Sequence, residues 1–207
     1  MYYFDIHIHT SRYSPCSHLE PAAMVEKAKK LGLHGIAITE HDTIWEAAEV
    51  KELKRKSKAK DLVILRGQEI RGYNEDGTFQ SDFLIFGSDQ VFPPELSSLE
   101  VIQYARQQPN AIIIAAHPYR MGFGCGDDVY NFDIDGLETL HPSYLSLDIK
   151  KAEAASRKMG VASLGSSDSH RADTIGCIVT VFENQIYTEE DLIKEIKAKR
   201  CWPLKNR

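Results

Sequence analysis

The chain has no apolar run approaching the ~20 residues that a membrane-spanning helix needs, which speaks against an integral membrane protein. Its first residues, Met1-Tyr2-Tyr3-Phe4-Asp5, lack the basic region and apolar stretch of a secretory leader. The four cysteines, Cys16, Cys125, Cys177 and Cys201, form no Cys-x-x-Cys pair, and 207 residues is too long for a small disulfide scaffold. Free thiols in a cytoplasmic protein are the expectation. Positive charge is not in surplus either. The 25 Lys and Arg against 30 Asp and Glu leave a net charge of -5, which gives no long-range attraction for polynucleotide. No linker, repeat or low-complexity segment interrupts the chain, so residues 1–207 read as one domain with room for a sizeable core.

What is present is a regular alternation. Hydrophobic patterning predicts strands over 2–9, 35–39, 62–65, 82–86, 111–116, 134–140, 161–165 and 177–182. Helices are predicted over 20–31, 45–58, 96–108, 145–159 and 189–198. Strands alternating with helices favour a parallel sheet with crossover connections. About seven apolar strands in this length point to a small, irregular β/α barrel rather than a full eight-fold one.

Nearly every predicted strand ends in a side chain able to bind metal. The stretch Asp5-Ile6-His7-Ile8-His9-Thr10 alternates polar with apolar residues, so His7 and His9 face one way. His41, Glu69, His117, Asp168 and His170 close other strands. In α/β folds, function gathers at the carboxyl ends of strands. Imidazole and carboxylate suit zinc, manganese and iron, and seven such groups exceed what one tetrahedral ion takes, so two or three ions are expected. Close-set metals suit displacement at phosphorus.

Five segments together resemble the polymerase and histidinol phosphatase (PHP) domain family: Asp5-Ile-His-Ile-His-Thr10, Ala37-Ile-Thr-Glu-His-Asp-Thr43, Gly67-Gln-Glu69, Ala116-His-Pro118 and Gly165-Ser-Ser-Asp-Ser-His170. They occur in the family's order and span most of the chain. The resemblance implies a distorted seven-stranded, TIM-like β/α barrel, a centre of two or three divalent ions, and metal-dependent phosphoesterase activity. It implies that His7, His9, Glu69 and Asp168 hold one ion, Glu69 and His117 a second, and His41 and His170 a third. Three departures stand out. Glu40 occupies a position where the family usually has aspartate. The loop Ser14-Pro15-Cys16-Ser17-His18 offers His18, Cys16 or nothing to the third ion. Asp82 stands where many members have a histidine, and could serve the second ion.

Arg120, close after His117, and Arg171, after His170, are candidates for holding a phosphate through the planar guanidinium fork. His141 ends a predicted strand and is a candidate for substrate or leaving-group contact. The expected function is cytoplasmic hydrolysis of a phosphomonoester of a small metabolite or nucleotide. A metal-bound water, as hydroxide, would attack, and His41, His141 or His170 would protonate the leaving oxygen. The competing readings are a 3′ exonuclease on single-stranded nucleic acid, a non-catalytic regulatory module, and a metal-dependent amide or lactone hydrolase. The sequence does not set the oligomeric state.

Overall fold

A computed structural model describes residues 1–206. Nine strands form one mixed sheet: β1 (Tyr2–Asp5), β2 (Gly35–His41), β3 (Val63–Tyr73), β4 (Phe79–Phe86), β5 (Ile112–Ala116), β6 (Gly136–Leu140), β7 (Ala162–Gly165), β8 (Ile178–Phe182) and β9 (Cys201–Lys205). Their order in the sheet is β7-β6-β5-β4-β3-β2-β1-β8-β9. The helices are α1 (Pro21–Lys30), α2 (Ala47–Lys56), α3 (Ser98–Arg106), α4 (Ser146–Met159) and α5 (Glu189–Lys197). Each lies inside its predicted span. Ser97 caps α3 and Thr188 caps α5, each accepting a hydrogen bond from the backbone three residues on. Gly160, at φ +68°, ends α4 in the left-handed conformation.

The sheet curls into a nearly closed, TIM-like barrel of nine strands rather than seven. Strands β1, β2 and β3 are parallel, as are β5, β6 and β7, while β4 runs antiparallel to both its neighbours. At one end closure is a parallel bridge between Ile8 and Ser169, with the His9 N–H donating to Ser169 O at 2.9 Å. Toward the other end β8 and β9 wedge in. Strand β8 pairs antiparallel to β1, and its Thr180 hydroxyl donates to Gly165 O of β7 at 2.7 Å. The absence of a side chain at Gly165 permits this, because a Cβ there would lie 2.7 Å from the Pro203 side chain of β9.

Strand β9 falls in a stretch the sequence reading left without structure, since Cys-Trp-Pro-Leu-Lys contains a proline. Proline cannot donate to a ladder and belongs on edges. Here β9 is the last strand of the sheet, hydrogen-bonded only to β8, with Pro203 opposite Thr180.

Strand parity separates the layers. Leu65 of β3, Leu84 and Phe86 of β4, Ile112 and Ile114 of β5 and Leu164 of β7 pack in one buried cluster with Phe4 and Phe182. Helix α5 adds Leu192, Ile193 and Ile196 to it. The intervening residues Ile113 and Ala115 pack with Val101, Ile102 and Ala105 of α3 and Ala152 and Ala155 of α4. Met24, Val25 and Ala28 of α1 cover Ile36 and Ile38 of β2. Burial of each Val, Leu, Ile, Phe or Met side chain among these stabilises the fold by about 1.5–3 kcal/mol.

Candidate metal centre

Side chains two residues apart share a face, so a strand with Leu65 in the barrel core also turns Glu69 inward, two steps further along past Gly67. The parallel strands bring their carboxyl ends to one place. His7 and His9 follow β1, His41 ends β2, His117 follows β5, and Asp168 and His170 follow β7. Strand β4 runs the other way, so Asp82, near its start, reaches the same end and lies opposite Ala116 in register. His117 and Asp168 have φ of +32° and +48°. A non-glycine residue in this left-handed region costs about 1–2 kcal/mol, and both occur where the chain leaves a strand at the cluster.

His7, His9 and Glu69 form one close group, and Asp168 Oδ1 lies near both imidazoles. His7 Nε2 and His9 Nε2 are 3.0 Å apart. His7 Nε2 is 3.2 Å from Glu69 Oε1 and His9 Nε2 is 3.2 Å from Glu69 Oε2, and each is 3.4 Å from Asp168 Oδ1. A tetrahedral ion with ~2.0–2.1 Å arms separates its ligands by about 3.3 Å. The Glu69 Oε1 atom is buried and accepts no hydrogen bond, its neighbours being the ring nitrogens His7 Nε2 at 3.2 Å and His117 Nε2 at 3.4 Å. A buried carboxylate oxygen left unpaired is costly unless a cation completes its surroundings. The donor set and its spacing therefore fit a divalent ion.

The outer hydrogen bonds strengthen that fit. His7 Nδ1–H donates to Glu138 Oε1 at 3.2 Å and His117 Nδ1–H to the Phe123 carbonyl at 3.2 Å. His170 Nδ1–H donates to the Asp168 carbonyl at 3.0 Å. With Nδ1 committed, each ring leaves Nε2 as the ligand nitrogen. His141 is arranged the other way. Its Nδ1 accepts the Ser143 N–H at 3.2 Å, so Nε2 carries the hydrogen and donates to Asp168 Oδ2 at 3.3 Å. The structure thus sets His141 up as a hydrogen-bond donor rather than a ligand.

Electrostatics follow from burial and from charge. Burial opposes the charged forms of Glu69 and Asp168, yet the His7 imidazolium holds both carboxyls well below their usual range. Burial likewise opposes protonation of His7, and Glu69, Asp168 and Glu138 overcome it to raise the His7 pKa well above the ordinary value. Burial pushes Asp82 up to about 6, helped by the charge of Glu69. Burial also works against Glu138, which His7, His141 and His117 nevertheless bring down to about 2. Buried carboxylates that hold protons on their imidazoles are a set whose protons a divalent cation can displace.

Three overlapping groups could hold an ion: His7, His9 and Glu69; Glu69, Asp82 and His117; and His9, His41 and His170. Glu69 belongs to the first two. His9 stacks on His41 and His170 with ring centres 4.2 and 4.4 Å away. His18 is exposed and belongs to none of these groups, and neither does exposed Cys16. Arg120 enters the site, its Nη1 lying 3.1 Å from Asp168 Oδ2 and its guanidinium 4.8 Å from the Phe123 ring centre. Arg171 does not: it is 69% exposed and pairs with Asp173.

The sequence reading passed over Glu138 and Arg71. Glu138, fully buried, holds His7, Ser166 and the backbone of His117. Its signal was a lone acidic residue inside the apolar run Gly136-Leu-Glu-Thr-Leu140. Arg71 holds Asp82 at 3.3 Å and carried the parity of Glu69.

An α/β barrel with this cluster of imidazoles and carboxylates at its strand ends is the frame of a metal-dependent hydrolase. Residues 148–201 match the family described as PHP-associated. An uncharacterised protein of Methanocaldococcus jannaschii, MJ1587, is 30% identical over 148 residues, which is 66% of this chain and 80% of that protein. The chain belongs to the PHP family of metal-dependent phosphoesterases. Its fold is shared with a Bifidobacterium adolescentis protein named as a candidate metal-dependent phosphoesterase. That match has TM-score 0.67 and 19% identity over 95% of this chain and 96% of that one. PsfC of Pseudomonas syringae has TM-score 0.70 and 16% identity over 99% and 91%. An amidohydrolase of Chromobacterium violaceum, solved with sulfate and no metal, has TM-score 0.61 and 15% identity over 84% and 89%. Among the described residues no helix is long and apolar enough to cross a membrane.

Proposed function

We propose that the protein hydrolyses a phosphomonoester of a small metabolite or nucleotide in the cytoplasm, with zinc, manganese or iron as its ions. The observation that carries this reading is the close approach of His7, His9 and Glu69, with Asp168 3.4 Å from both imidazoles and Glu69 shared by an adjoining Glu69, Asp82 and His117 group. Divalent cations held there would supply Lewis acidity and charge neutralisation for transfer of a phosphoryl group.

The chain's own side chains would do the rest. Arg120 spends one N–H on Asp168 and keeps the remainder of its fork for a phosphate oxygen. His141 presents an Nε2–H beside the same carboxylate, and burial lowers its pKa, so it stays neutral and donates a hydrogen bond at neutral pH. His41 and His170, 29% and 30% exposed, lie at the opening and could pass a proton to a leaving oxygen. The sulfate on the related fold from Chromobacterium violaceum accords with an anion site in this barrel type.

The test is a panel of phosphomonoesters and a single-stranded oligonucleotide, each incubated with folded protein supplied in turn with zinc, manganese and iron. Release of inorganic phosphate from a small ester supports the proposal. Release of mononucleotides alone favours the exonuclease. Full metal content with every ester intact favours a regulatory module and sinks the proposal.

A further inference from the structure

His9 is claimed by two of the three candidate groups, one with His7 and Glu69 and the other with His41 and His170. An imidazole can serve two ions only through its two nitrogens, and here one of them is committed. His9 Nδ1 lies 3.3 Å from Ser14 Oγ. The Ser14 hydroxyl has a single hydrogen, which it gives to Glu40 Oε2 at 2.5 Å. Towards its other neighbours Ser14 Oγ can only accept. It takes the His41 N–H at 3.3 Å and, with its second lone pair, the His9 Nδ1–H.

Glu40 makes this arrangement stiff. It is fully buried and also accepts the Thr10 N–H at 3.0 Å, the Thr10 hydroxyl and the Trp45 indole N–H at 2.8 Å. With its acceptor capacity turned on four donors from three residues, it keeps the Ser14 hydroxyl hydrogen away from His9. Only His9 Nε2 is left, and it lies 3.0 Å from His7 Nε2, 3.2 Å from Glu69 Oε2 and 3.4 Å from Asp168 Oδ1. The residues that would complete the third group in its place, Cys16 and His18, are both exposed and outside it.

We propose that Ser14 and Glu40 are positioning residues that reserve His9 for the His7, Glu69 and Asp168 set, so that the protein's side chains hold two ions and the His41–His170 pair is left without His9 as its third ligand. The proposal rests on the reading that the cluster binds divalent cations. Glutamate at position 40, where the family usually has aspartate, is what reaches Ser14 and Trp45 at once.

The experiment uses the full chain loaded with zinc and labelled with nitrogen-15. Long-range proton–nitrogen spectra are expected to show His9 coordinated through Nε2 with hydrogen on Nδ1, and elemental analysis to show two zinc ions retained per chain. Ser14→Ala should lose that Nδ1–H signature and weaken one zinc by about 10- to 100-fold in chelator competition. Ser14→Thr, which keeps the hydroxyl, should restore both. Zinc on His9 Nδ1, or three retained ions of which His9→Gln removes two, overturns the inference while leaving the metal centre intact. Folded chain that retains no zinc overturns the metal reading and the inference together. An unchanged His9 signature in Ser14→Ala also overturns the inference.

Discussion

Glu138→Gln tests the geometry of the cluster most directly, because it keeps shape and removes one acceptor. Glu138 Oε1 takes hydrogen bonds from His7 Nδ1 at 3.2 Å and from the Ser166 hydroxyl, while Oε2 takes the His117 N–H at 2.8 Å. Glutamine has a single oxygen. If it faces His7 and Ser166, the new NH2 group opposes the His117 N–H, and a buried backbone donor is left unpaired at a cost of about 1–3 kcal/mol. If it faces His117, the NH2 group opposes His7 Nδ1–H, and His7 must move its hydrogen to Nε2, into the middle of the ligand set. Both outcomes strike at the first ion. The expected loss is about 10- to 100-fold in metal affinity, or roughly 1.4–2.8 kcal/mol at 1.4 kcal/mol per tenfold. Chelator competition on wild type and variant measures it, with urea unfolding of the loaded protein as the companion. An affinity within about twofold of wild type, together with an unshifted urea midpoint, would refute the view that Glu138 orients His7 and His117.

Metal binding should release protons at neutral pH, because Glu69 and its neighbouring carboxylates raise the pKa of His7 and His117 against the effect of burial. Calorimetry in two buffers of different ionisation enthalpy reads the release, and equal heats in both would contradict it. Asp5 is raised from 3.8 to about 6 by burial, despite hydrogen bonds from Ser167 and Gly176. Its stabilising share is therefore present below pH 3.8 and lost as pH rises through 6, a change of about 3 kcal/mol at 1.36 kcal/mol per unit. Asp5→Asn should flatten the stability of the chelator-treated protein across that window, and a slope as steep as wild type would be inconsistent with this. Burial pushes the Cys125 thiol up to about 11 and Cys201 to about 12, so a thiol reagent at neutral pH should label exposed Cys16 first. Rapid labelling of Cys201 in folded protein would count against the structure around β9. In the phosphatase assay Arg120→Ala should raise KM by about tenfold and Arg171→Ala should leave it unchanged. Equal effects would remove the distinction drawn between an arginine on Asp168 and one on Asp173.

Much of the fold was legible because it is periodic. The five helices lie within the spans that apolar spacing marked out, and the first eight strands fall on their apolar runs. The misses have physical reasons. Strand β3 continues through Glu69 to Tyr73, beyond its apolar run, because its far half pairs with β4 in a hairpin and needs no buried partner on both faces. Strand β9 carries a proline and an exposed C-terminal end, tolerated because it is an edge. Glu138 was hidden because a single carboxylate in an apolar strand has no meaning until its neighbours are known.

The sequence by itself determined which residue types stand at the strand ends, in what order, and which face each strand turns to the core. Those are local properties, set by side-chain alternation and turn residues. Only the tertiary structure decided which of them meet. It placed Asp82 beside Glu69 and His117 by reversing β4, put Arg120 on Asp168 and left Arg171 outside, and excluded His18. It also set the hydrogen on five imidazoles: on His7 through distant Glu138, and on His9, His117, His141 and His170 through Ser14, the Phe123 carbonyl, Ser143 and the Asp168 carbonyl, which the loops at the strand ends fold back onto the rings. Which nitrogen of a histidine is free depends on the partner of the other one. For His7 that partner is brought across the barrel by Glu138, and for the others it is a residue two to six positions away whose approach depends on how the loop folds, which the order of residues alone does not fix.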